Sequence, residues 1–148
     1  MDYIEGKKCY AFSKKLSAEN ETKNKIKFAA ENHRIQLKIN DLQELDFADS
    51  AKSASLIYRV GMSQFRGYKL AILDKLPQKG VFLHVNSVLI HQNARFNLSE
   101  LQQFFQFETV IFDGSNPRWR VEKWKNECLI LGIKYHDTSE KGAWVQKL

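Results

Sequence analysis

The forty-one residues from Glu108 to Leu148 constrain this chain most. Glu108–Phe112 is a short run of β-branched and aromatic residues, which favours a strand. Asp113-Gly114-Ser115-Asn116-Pro117 is turn chemistry, with Asn116 as a helix cap and Pro117 at the first helical position, where no amide hydrogen is required. Val121, Trp124, Cys128 and Leu131 then recur at three and four residues, an apolar helical stripe closed by Gly132. Ile133–His136 and Ala143–Val145 complete a strand–turn–helix–strand unit. Such a unit belongs in an α/β domain.

Upstream, the pattern continues in the same vein. Tyr3–Ser13 is one or two strands around a turn at Glu5-Gly6-Lys7. A helix is expected to start in Ser17–Glu21 and to carry Ile26, Ala29, Ala30 and His33 on one face, which makes His33 a packed histidine. Arg34–Ile39 alternates as a strand. Asn40–Ala54 is expected to be a mobile loop with at most a short helix, since only Leu42, Leu45 and Phe47 anchor it. Ser55–Val60 and Tyr68–Leu73 are strands joined by a hairpin or short connection at Met62–Arg66. Asp74–Gly80 is a turn, and strand material in Val81–Val85 and Ser87–Ile90 breaks at Asn86. Asn97 and Glu100 have capping-box spacing, before a helix with Leu98, Leu101, Phe104 and Phe105 on its apolar face. The expected fold is α/β, one domain over residues 1–148, with mixed sheets and helices outside.

No apolar run approaches the ~18 residues that span a bilayer. Asp2 and Glu5 sit where a secretion signal would be basic. The two cysteines, Cys9 and Cys128, form neither metal spacing nor a disulfide framework, so buried free thiols are expected. Net charge is +6, which favours polyanions. The lysines are nevertheless scattered. Residues 1–38 hold nine Lys and Arg against five Asp and Glu, a bias rather than a binding stripe.

Signals for catalysis are sparse. None of His33, His84, His91 and His136 lies two or four residues from another, so no metal-ligand string exists. Asp113–Pro117 superficially resembles a nucleophile elbow, but Gly-x-Ser-x-Gly is absent and the turn-and-cap reading prevails. Gly114 stands alone, without a phosphate-cradling loop. Arg118, Trp119, Arg120 and Lys123 place an aromatic ring among basic side chains, a combination that stacks on bases and grips phosphates. Trp124, five residues from Trp119, falls in the core stripe. No cofactor is implied.

Several motifs together resemble a known family. They are the run Val-Ile-Phe-Asp-Gly-Ser-Asn-Pro-Arg-Trp from Val110 to Trp119, the pairs Trp124-Lys125 and Glu127-Cys128, and the segment Tyr135–Val145 with Gly142-Ala143 before a last strand. They are similar to the C-terminal end of ComEC-type competence proteins, in the form seen in Bacteroidetes. The resemblance implies a metallo-β-lactamase-like sandwich, here truncated. It implies a soluble part of an inner-membrane channel that passes single-stranded DNA, with the remainder of the channel chain as partner. Members suspected of nuclease activity carry a His-x-His-x-Asp-His string and a later His-His-Gly-Ser element. Here the first is missing, and of the second only His91 stands, in Leu89-Ile90-His91-Gln92-Asn93. The expected role is therefore non-catalytic, through weak DNA contact or partner docking. A residual metal-dependent nuclease using His91, Asp113 and Asp137, or an unrelated soluble interaction module, are the alternatives.

Overall fold

The computed structural model describes residues 1–13, 30–46, 48, 50–78, 80 and 82–148. It is mixed α/β, with several sheets and a few helices. Two compact units emerge, Met1–Ala51 and Lys52–Leu148.

The first unit has a three-stranded sheet in the order β1-β2-β3. β1 (Asp2–Glu5) and β2 (Lys8–Ser13) form an antiparallel hairpin around Gly6, as the sequence suggests. β3 (Asp41–Asp46) lies parallel to β2, from Lys8 opposite Asp41 to Ser13 opposite Asp46. This corrects the loop expected at Asn40–Ala54. The pairing with β2 supplies hydrogen bonds that a polar, unpatterned segment does not advertise. Cys9, Tyr10, Ala11 and Phe12 are all buried.

Residues 30–36 are helical and form the described part of α1. The helix start expected in Ser17–Glu21 lies outside the described residues. Arg34–Ile39 is not a strand: Leu37 and Ile39 donate backbone hydrogen bonds to His33 and Arg34, and Lys38 takes a positive φ of 54°. A helix end with an αL residue has replaced the strand. Ile35 is 71% exposed, so its alternation with Leu37 served no sheet. His33 is exposed rather than packed. Arg34 instead forks onto Asp2, with Nε and Nη2 each 2.8 Å from a carboxylate oxygen.

The second unit is built on a seven-stranded sheet in the order β12-β11-β9-β7-β6-β5-β4. β4 (Ala51–Lys52) is its short edge. β5 (Leu56–Arg59), β6 (Met62–Phe65) and β7 (Tyr68–Leu73) form an antiparallel meander, so the expected connection at Met62–Arg66 is itself a strand. β9 (Ser87–Ile90), β11 (Thr109–Phe112) and β12 (Lys134–Asp137) then add in parallel. Separately, β8 (Leu83–His84) pairs in parallel with β10 (Phe105–Gln106). α2 (Leu98–Leu101) is shorter than its apolar pattern suggests, because Phe105 joins β10.

α3 (Arg118–Leu131) connects the parallel strands β11 and β12. Its buried residues are Val121, Trp124, Lys125 and Cys128. Trp124 is 1% exposed, stacks on Phe112 at 5.5 Å between centroids, and donates its indole N–H to the Phe96 carbonyl at 2.8 Å. Leu131 is not in the stripe; it faces outward. Gly132 ends α3 at φ 68°, with its N–H on the Cys128 carbonyl. A side chain there would meet no atom within 4 Å, so only the backbone conformation opposes one. Gly132→Ala is expected to lower stability by about 1–2 kcal/mol, the cost of an L-residue in αL, read from the urea midpoint at constant m.

Beyond β12, Thr138–Lys141 forms the short helix α4, and Ala143–Val145 is not a strand. Asp137 caps α4 by accepting the Ser139 N–H at 2.9 Å. The chain therefore turns back before it can extend the sheet.

Candidate functional site at the carboxyl edge of the parallel strands

The parallel register aligns four strand ends: Leu73 with Ile90, Ile90 with Phe112, and Phe112 with Asp137. The loops that follow gather Asp74, His91–Asn93, Asp113–Asn116 and Thr138 along one edge. In α/β sheets ligands bind outside this edge.

The turn after β11 is held internally. Asp113 Oδ1 accepts from both the Ser115 N–H, at 3.0 Å, and the Ser115 hydroxyl, at 2.5 Å. Ser115 Oγ in turn accepts the Gln92 N–H at 2.6 Å. A serine whose hydroxyl is committed to a carboxylate and a backbone amide is a turn residue, not a nucleophile. Asn116 does not cap α3. Its Nδ2 donates to the Ile90 carbonyl at 2.7 Å and to Asp113, and the helix begins uncapped at Pro117. The Ile90 carbonyl thereby takes a second donor beside the Asp113 N–H at 3.3 Å, which ties the end of β9 to the β11 turn. Asn116 Oδ1 is buried without a donor. Gln92 and Asn93 both take positive φ, 55° and 57°, a backbone strain that accompanies tight loop geometry.

The four residues expected to contact DNA divide in two. Arg118 is exposed and Trp119 is 64% exposed. Arg120 is engaged: Nη1 donates to the carbonyls of Asn93, at 2.8 Å, and Ala94, at 2.6 Å, and to Asn93 Oδ1. Its guanidinium lies 4.6 Å from the Trp119 ring centre. Lys123 donates to Asn97 Oδ1 at 2.9 Å, beside the Glu100 carboxylate that accepts the Asn97 N–H.

The strongest electrostatic feature was not anticipated. Lys125, 6% exposed, carries its ammonium 2.8 Å from Asp137, 2.7 Å from Glu140 and 3.0 Å from Glu122. Burial alone would lower the lysine's pKa, but its hydrogen bonds to these three carboxylates outweigh that and raise it. Asp137 shows the converse: burial works to raise its pKa, while Lys125 and the Ser139 N–H hold it below the ordinary value. The signal lay in the sequence, since Val121, Lys125 and Cys128 share one face at helical spacing.

Glu122, Asp137 and Glu140 also form the one carboxylate group, among the described residues, that could hold a metal ion. The donors do not fit a hydrolytic metal. Lys125 already fills the centre as their cation, and His91 belongs to no such group. Cys9 and Cys128 are free, buried thiols, as expected. Burial pushes them up to about 11 and about 12, which leaves little reactive thiolate near neutrality.

No helix among the described residues is long and apolar enough to cross a membrane. No curated protein matches the chain, and no solved structure does. A profile of one family, the ComEC C-terminal domain, matches residues 1–148 throughout, across both structural units. The tail motifs from Val110 to Val145 therefore stand within a full-length match, and the chain belongs to the ComEC C-terminal domain family of competence proteins, with the role in DNA uptake that this carries.

Proposed function

We propose that this chain is a non-catalytic, metallo-β-lactamase-like part of a larger inner-membrane DNA-uptake channel, and that the first turn of α3 contacts single-stranded DNA. The observation that carries the reading is Trp119, exposed and stacked beside Arg120 next to the exposed Arg118. This first turn has no acidic residue and no side-chain cap, and although the Arg120 N–H bonds the Pro117 carbonyl, the positive end of the helix favours a phosphate there. Trp119 offers a base a stacking surface, and Arg118 offers a phosphate a cation. Arg120 positions the ring through its bonds to the 93–94 loop. Lys123 adds charge at one turn's distance.

The non-catalytic part draws support from Lys125, which neutralises the carboxylates a metal would need. The expected result is binding of a single-stranded oligonucleotide that weakens with salt, by a logarithmic slope of about −0.7 per phosphate contacted. Trp119→Ala is expected to weaken it by roughly 5- to 150-fold, the range for one stacked base. Fluorescence anisotropy across a salt series reads both. Binding indifferent to salt and to Trp119 would remove the DNA contact. Cleavage with added manganese or zinc that disappears in His91→Ala would remove the non-catalytic reading.

A further inference from the structure

Successive residues on a helix point about 100° apart, so side chains one position apart do not face each other. Trp119 and Arg120 nonetheless meet, with the guanidinium carbon 4.6 Å from the centre of the indole. A group outside α3 brings the guanidinium there. It is the 93–94 loop, whose oxygens receive Arg120 Nη1: the Asn93 carbonyl at 2.8 Å, Asn93 Oδ1 at 2.6 Å and the Ala94 carbonyl at 2.6 Å. Asn93 supplies two of these three acceptors. Its φ of 57° is one that asparagine adopts more readily than most residues. The loop is itself fixed, because the Gln92 N–H is bonded to Ser115 Oγ at 2.6 Å and the Ser115 hydroxyl to Asp113.

We propose, resting on the single-stranded DNA contact above, that Asn93 is a positioning residue of the stacking site, acting through Arg120 on the Trp119 ring, and that the ring takes one base on its open face. Trp119 is 64% exposed. An unrestrained ring there would give up its rotamer freedom on binding, which costs affinity. Held against an anchored guanidinium, it has given up part of that freedom beforehand. The same contact occupies one face of the indole, so a base stacks only on the other. A strand therefore gains from one stacked base at this site, not from two enclosing the ring. Arg120 serves as a plane rather than as a charge. Its Nη1 has two hydrogens and meets three acceptors, so that nitrogen is spent within the chain. Arg118, exposed, remains the cation for phosphate.

Two substitutions separate a plane from a charge. Lysine at 120 keeps the charge but has no plane to lay on an indole. A phosphate contact through the other guanidinium nitrogens would be taken over by lysine, whereas the ordering of the ring would not. Glycine adopts positive φ freely, so Asn93→Gly removes Oδ1 and leaves the backbone conformation of the loop allowed.

Fluorescence anisotropy of a single-stranded oligonucleotide with the 148-residue chain, over a salt series, reads the outcome. Arg120→Lys is expected to weaken binding by roughly 2- to 10-fold, the cost of ordering one side chain, with the salt slope unchanged. Asn93→Gly is expected to weaken it by a smaller factor. Both losses should disappear when Trp119 is already alanine, because both act through the ring. A strand abasic at all but one nucleotide should keep the full affinity ratio between parent and Trp119→Ala. Parental affinity in Arg120→Lys or in Asn93→Gly overturns the inference, as does a loss from either that persists in the Trp119→Ala background. A ratio that collapses on the one-base strand overturns the one-face stack. Each of these results leaves the DNA contact itself standing. Binding by the parent that is indifferent to Trp119→Ala removes that contact, and the positioning role with it.

Discussion

Lys125→Met is expected to cost about 3 kcal/mol of stability and to lower the melting temperature by roughly 10 °C. The ammonium is the counter-ion of Asp137, which is buried at the end of β12 and caps α4. Methionine fills the same volume but leaves a buried carboxylate unpaired, and such a charge costs far more than the pair contributed. The loss is kept near the lower end of the range because Glu122 and Glu140 are about half exposed and turn to water. The pH dependence gives a second signature. In the native chain Asp137 is held low, so its stabilisation is complete above the unfolded value of about 3.9 and is lost as pH falls through the folded value. Lys125 is held high, so its share is complete below about 10.4 and is lost only as pH rises through its folded value. In Lys125→Met the sign of the acid limb reverses, because protonating an unpaired buried Asp137 relieves it. Urea titrations between pH 4 and 8 should therefore show the gap between variant and parent narrowing toward acid. A gap that stays constant would mean that the cluster is not an electrostatic unit. Adding Asp137→Asn to Lys125→Met should recover part of the loss.

Trp124→Ala should be at least as damaging, at about 3–5 kcal/mol. The indole is the largest fully buried side chain. It stacks on Phe112 of β11, leans on Phe96, and saturates the Phe96 carbonyl. Alanine would leave a cavity where α3 meets the sheet, together with an unsatisfied buried acceptor. Trp119→Ala, five residues earlier on the same helix, is expected to change stability by less than about 0.5 kcal/mol, because that ring faces solvent. Thermal or urea unfolding of the two variants side by side measures the contrast. Equal losses would mean that Trp119 is packed and unavailable to any ligand.

Residues 108–141 illustrate how far local pattern carries. The β11 strand, the turn at Asp113, the length of α3 and its glycine stop all follow from residue type and spacing. The details that matter chemically do not. Asn116 has the chemistry of a cap, yet its amide serves the end of β9, twenty-six residues away. Arg120 has the look of a free phosphate ligand, yet two loop carbonyls hold it. β3 has no strand signal of its own and exists because β2 lies alongside it.

By itself, then, the sequence determined the family, the strands at β5, β7, β9 and β11 and the helix α3, the division of labour between Trp119 and Trp124, and the burial of both cysteines. These depend on periodicity and on short-range stereochemistry, which are written in neighbouring residues. Tertiary structure decided that β7, β9, β11 and β12 end along one edge, that the carboxylates gathered there receive Lys125 as their cation, and that Leu129 and Ile130 are left outside. Those outcomes depend on which distant groups must share a desolvated space. No residue carries that information until the chain has closed upon it.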